Sequence, residues 1–407
     1  MSTKLCGRIR EDLEVLCLRT GNRHVGSPGN QEAARYIADR MRSCGFQVET
    51  PEFACIDWRD GGSRLLLGEE ALEVLTSPYS LPCDLAERPY ETAGTLQELE
   101  GRDFTGKIAV LHGALCREQV MPKNFVFYNP EEHRRMVATL EAKKPLAIVA
   151  VTARNPALAG AVYPFPLFED GDFHIPSVYL TEEEGGKILS KRSEKLSLEI
   201  DSQRIPSTGN NVIGRKKGRT EKRIVFCAHL DTKKGTPGAL DNTTGVVLLL
   251  AMAELLEGYG GDYGIELLAV NGEDYYAASG QMLYLEENRG RMGEVALAVN
   301  MDGAGHKGQP SSYCLFNCGE RERRGFTEAF GDPEAFLEIE PWHQGDHMLF
   351  VMEGVPAIAI SSGNLWEILS EIVHTPKDTL DNVDPEKLCA IALACRRLVG
   401  LHLEKRF

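Results

Sequence analysis

An apolar run that ends in a histidine and an aspartate two residues apart, followed by an aspartate-asparagine pair, offers the residue types of a metal site. Residues 225–256, VFCAHLDTKKGTPGALDNTTGVVLLLAMAELL, have this form, with His229, Asp231, Asp241 and Asn242. Three further apolar runs deliver similar residues at or beyond their ends. GIELLAVNGED ends in Glu273 and Asp274, VALAVNMD ends in Asp302, and VPAIAISSG leads on to His374 in HTPKDTLD. Taken singly, each residue has an ordinary explanation: His229 as a satisfied structural histidine, Asp241 as a helix N-cap, Asp302 or Glu273 as solvated loop carboxylates. Their conjunction argues for more, because gathered carboxylates are costly without a cation among them. One imidazole, one carboxylate and one shared carboxylate per ion would make two sites suited to zinc, with positions left for water and substrate.

Such residues meet only if the runs that carry them lie side by side. The four runs are apolar throughout, which suits strands buried on both faces of a central sheet. In open α/β sheets, functional side chains gather beyond the carboxyl ends of the strands. The run after Asn242 is long enough for a helix, with Asp241 or Asn242 to cap it and Gly258 to close it. Near the N-terminus, EDLEVLCLRT and NQEAARYIADRMRSCGF show helical spacing, with Gly45 at a C-cap position. From Ser63 to Gln203 the texture changes to short strands and loops with none of the clustered chemistry. The expected layout is an α/β domain of residues 1–62 and 204–407, interrupted by an inserted domain at 63–203.

Composition narrows the partners. The 407 residues carry 45 Lys+Arg against 60 Asp+Glu, a net charge of −15, with no basic stripe to neutralise phosphates. Nucleic acid is not an expected partner. No window approaches eighteen uninterrupted apolar residues and the N-terminus lacks the apolar core of a signal peptide, so neither a membrane nor secretion is expected. Eleven scattered Cys fit reduced thiols in a cytoplasm. Cys314 and Cys318, the one close pair, have no second pair to complete a structural zinc site. The oligomeric state is left open, a homodimer included.

From about Asn210 onward the chain resembles the co-catalytic zinc metallopeptidases of the bacterial leucyl aminopeptidase type, a family that also includes glutamate carboxypeptidase and glutaminyl cyclase. The resemblance rests on AHLDT, GALDNTTGV, NGEDYYAASG, NMDGAG and HTPKDTLD, in that order. It implies a three-layer α/β fold, a mixed central sheet with helices on both faces, plus an inserted, mainly β domain of the protease-associated type. It implies two zinc ions per chain, replaceable in vitro by cobalt or manganese. His229 and Asp302 would hold one ion, Asp274 and His374 the other, and Asp241 would bridge them. Glu273 would be the general base toward the water that the ions activate. Asp231 would accept the second N–H of the His229 imidazole; Asp378 would either do the same for His374 or serve as a turn residue. Where most members have Glu-Glu, this chain has Glu273-Asp274, one methylene shorter at the metal-binding carboxylate. Asp346 and His347 in PWHQGDHMLF are expected to approach the cleft, with Trp342 and Tyr275 lining a substrate pocket. The activity implied is that of a metal-dependent exopeptidase acting on a peptide substrate, an aminopeptidase before a glutamate-type carboxypeptidase or a glutaminyl cyclase. A receptor-like binding module without catalysis is the alternative from another class.

Overall fold

The computed structural model describes residues 2–154, 162–191, 195–331 and 335–403. The chain divides into two compact units, residues 1–55 with 208–407 and residues 56–207. The boundaries expected at 62/63 and 203/204 fall inside two long strands, Glu52–Leu67 and Leu196–Asn210, that run through the division. Composition does not mark a junction where strand pattern continues across it.

The first unit is built on an eight-stranded sheet. Its strands are β1 (Gln47–Glu49), β2 (Val212–Lys216), β3 (Arg223–His229), β4 (Gly264–Val270), β5 (Val295–Met301), β6 (Ser311–Phe316), β7 (Phe336–Glu338) and β8 (Ala357–Ser362), in the spatial order β1-β2-β4-β3-β5-β8-β6-β7. The central four, β4-β3-β5-β8, are parallel, while β2 and β6 run antiparallel to their neighbours β4 and β8. Every residue of β3, β4 and β8 is buried, as apolar runs of this kind require in a sheet covered on both faces.

Four helices matter for the site: α1 (Ser2–Glu14), α2 (Pro28–Ser43), α3 (Thr244–Leu255) and α4 (Pro385–Leu403). The α3 sequence TGVVLLLAMAEL is apolar around its circumference, and residues 244–253 are all buried. Helix α2 starts sharply because Ser27 accepts a hydrogen bond from the Asn30 N–H at 3.1 Å and Pro28 occupies the first helical position. Its apolar stripe of Ala33, Ala34, Ile37, Ala38 and Met41 joins the core that also holds α3.

The second unit contains a five-stranded sheet, chiefly parallel, and a four-stranded antiparallel one. Helices Leu96–Gly101, Glu131–Lys143 and Glu182–Ser190 accompany them. None of the eleven cysteines forms a disulfide. Among the described residues, no helix is long and apolar enough to cross a membrane.

Candidate metal centre

Register brings the donors together. His229, the last residue of β3, lies opposite Val270, the last of β4, and Met301 at the end of β5 lies opposite Ile360 of β8. The strand ends are therefore level, and Glu273, Asp274 and Asp302 emerge beside His229. Asp241 sits just ahead of α3, and the Asp241–Asn242 peptide is cis. His374 follows β8 and a short helix, Leu365–Glu371.

Asp241 divides these side chains into two sets. Its Oδ1 is 3.0 Å from His229 Nε2, which is itself 3.7 Å from Asp302 Oδ1. Its Oδ2 is 2.9 Å from His374 Nε2, which is 3.1 Å from Asp274 Oδ1. Asp274, despite its shorter side chain, reaches His374. Ligand atoms of His229, Asp241 and Asp274 all lie within 4.8 Å of one another.

The donor set fits a divalent cation. His229 Nε2 and Asp274 Oδ2 are buried without a hydrogen-bond partner, although Asp241 lies 3.0 Å from the former. Buried polar atoms are rarely left so, and lone pairs converging on common points are what a cation satisfies. Imidazole nitrogen and carboxylate oxygen are the donors zinc takes, and an imidazole with two carboxylates leaves a coordination position open. The electrostatics agree. Burial disfavours a charged His229 imidazole, yet the Asp302 and Asp241 carboxylates raise its pKa well above the ordinary value. Burial, with the Asp274, Asp346 and Asp302 carboxylates, lifts Glu273 well above the ordinary range against the pull of His229. The site thus concentrates negative charge and invites a positive counter-charge.

Further residues hold the loops. Asp231 is fully buried, and its carboxylate accepts the main-chain N–H groups of Gly272 at 2.7 Å, Glu273 at 3.3 Å and Asp274 at 3.0 Å. Gly272 has φ +122°, a conformation that side chains rarely adopt. The expected role of Asp231 is thereby corrected. His229 Nδ1 lies 3.2 Å from the main-chain carbonyl of Asp231 and 3.8 Å from its carboxylate, which is committed to the 272–274 turn. Asp378 likewise does not orient His374: its carboxylate accepts the N–H groups of Leu240 at 2.8 Å and Asp241 at 3.0 Å. Asn242 donates to the Met301 carbonyl at 2.9 Å and accepts the Gly245 N–H at 2.9 Å, tying the head of α3 to the end of β5. A Cβ at Gly245 would collide with that carbonyl and with Asn242, so only glycine allows this approach.

The residues expected on the substrate side are placed differently. His347 is fully buried, with Nε2 2.8 Å from the Trp342 carbonyl, Nδ1 3.4 Å from Asn300 Nδ2, and its ring stacked on Phe316. Its nitrogens are engaged by the protein, so it does not present a donor to substrate. Asp346 is buried and accepts from Gln281 at 2.6 Å; its Oδ2 has no protein partner, and burial pushes its pKa up to about 7. Trp342 and Tyr275 are both buried, the latter with its ring 4.5 Å from that of Tyr276. Sequence reasoning missed Arg23, Asn30 and Asn271, all buried and hydrogen-bonded around the metal loops. No periodicity marks them: Arg23 lies in a Gly-rich connection, where a charged residue reads as exposed.

Residues 211–399 match Peptidase family M28. Over 396 residues it is 24% identical to Aminopeptidase YwaD of Bacillus subtilis (strain 168), covering 90% of this chain and 78% of that one. Its fold is similar to that of an aminopeptidase from Aneurinibacillus sp. strain AM-1, with a TM-score of 0.75 at 21% identity over 99% of this chain and 96% of the other. It is also similar to that of a zinc aminopeptidase from Bacillus subtilis, with a TM-score of 0.74 at 19% identity over 98% and 95% of the two chains.

Proposed function

We propose that this chain is a two-zinc aminopeptidase of the M28 type that removes N-terminal residues from peptides. The observation that carries this reading is the geometry of Asp241, whose two oxygens face two separate histidine-carboxylate pairs. His229, Asp302 and Asp241 Oδ1 would hold one ion; His374, Asp274 and Asp241 Oδ2 would hold the second. When bound, the ions supply Lewis acidity toward the scissile carbonyl and make water a stronger acid. Glu273 stands beside Asp274 on the same turn, where it would take a proton from water and return it to the leaving amine. Asp231 keeps that turn in place through three N–H bonds.

The acidic surroundings favour a substrate amine over a C-terminal carboxylate, which needs cationic partners. Arg23, a buried cation close to this chemistry, spends its N–H groups on protein acceptors. The named relative and the two structures point the same way. We further read the chain as cytoplasmic, in keeping with eleven cysteines outside any disulfide. The test is hydrolysis of aminoacyl anilides and short peptides by purified protein, with and without added zinc. Release of free N-terminal amino acids, abolished by a chelator and by N-acetylation of the substrate, is expected; release of C-terminal residues instead would overturn the reading.

A further inference from the structure

The connection that follows α1 and the first turn of α2 together reach both loops of the candidate metal centre. We propose that Arg23 and Asn30 are positioning residues, Arg23 fixing the loop that carries Asp241 and Asn30 fixing the turn that carries Glu273 and Asp274. This inference rests on the two-ion reading given above.

Arg23 is almost wholly buried, and its guanidinium is surrounded by acceptors. It donates to the carbonyls of Leu16 at 2.7 Å, Leu230 at 3.2 Å, Pro237 at 3.3 Å and Gly238 at 3.1 Å, and to Thr243 Oγ1 at 2.7 Å. Four of those five acceptors lie between residues 230 and 243, the loop that begins beside Asp231 and ends around Asp241. A buried guanidinium is tolerated only when its fork of donors is matched. The loop as folded satisfies Arg23, and in that arrangement Asp241 lies between the two histidines.

Asn30, in the first turn of α2, is fully buried and works on the other loop. Its amide forms a reciprocal pair with Asn271, each Nδ2 donating to the other's Oδ1 at 2.9 Å. The Asn30 Nδ2 also donates to the Arg23 carbonyl at 2.8 Å, linking the two positioning residues. Asn271 immediately precedes Gly272-Glu273-Asp274, and its own N–H is held by Asn211 Oδ1 at 2.9 Å. The turn is thus gripped by Asp231 along its N–H groups and by Asn30 at its root. Loss of groups that orient metal ligands typically costs ~10–100-fold in metal affinity.

The two residues touch different loops, so their effects on the two ions should differ, which a merely structural role would not produce. The experiment is a cobalt(II) titration of the full metal-free chain, with each step assigned by Asp302→Ala and Asp274→Ala and the metal-free thermal midpoint measured in parallel. Asn30→Ser should weaken the step that Asp274→Ala removes by ~10–100-fold and leave the other unchanged. Arg23→Lys should weaken both, since both ions share Asp241. Unchanged affinities, or both steps of Asn30→Ser falling together with the thermal midpoint, would overturn the inference. Asn30→Ser alone decides the matter if Arg23→Lys fails to fold. A wild-type chain that takes up no cobalt would overturn the two-ion reading as well, whereas normal uptake with insensitive variants would overturn this inference alone.

Discussion

Asp241 is shared between two histidines, and Glu273 has no place in either set; on the proposed reading the two carboxylates differ in role because of where the backbone leaves them. Glu273→Gln keeps the shape of the side chain and removes its capacity to accept a proton. It should lower kcat by ~10²–10⁴-fold while metal content stays at the wild-type level, measured by steady-state kinetics with elemental analysis. A fully active Glu273→Gln would remove Glu273 from the reaction. The donors were visible in the sequence because imidazoles and carboxylates seldom end one apolar run after another. Which atom of a residue does the work was not visible. Spacing places Asp231 near His229 but cannot tell its carbonyl, which faces the imidazole, from its carboxylate, which holds the 272–274 turn. Nor does the polar look of the Asp346-His347 pair give any hint of burial: His347 reads as a donor in sequence and is sealed beneath Trp342 and Phe316 in the fold.

Among the elements, strands and long helices followed from pattern, whereas the turns between them depend on contacts far away in the chain. The turn after β4 is set by Asp231, 41 residues before Gly272, and by Asn30, 241 residues before Asn271, so no local signal could announce it. The 342–347 turn makes a pH prediction. In the unfolded chain the His347 imidazole takes up a proton near its ordinary 6.5, but burial lowers the folded value to about 4. Between those values unfolding binds a proton, so the stability gained from neutral His347 is complete above about pH 6.5 and is lost as pH falls toward 4. The loss is at most about 3 kcal/mol. His347→Gln should flatten the fall in urea midpoint across this window; an unchanged slope would show that another group is responsible.

At the scale of the whole molecule, the texture of the sequence changes between Ser63 and Gln203, while two strands continue their pattern across the division between the compact units. The parallel centre of the sheet is what turns distant residues into neighbours, by levelling the ends of β3, β4, β5 and β8. On the proposed reading, activity depends on two ions meeting at Asp241. The measurement that tests this most directly is anomalous diffraction at the zinc edge from crystals of the zinc-loaded chain. Two peaks are predicted, one among His229, Asp302 and Asp241 and the other among His374, Asp274 and Asp241. A single peak, or zinc bound away from Asp241, would contradict the account.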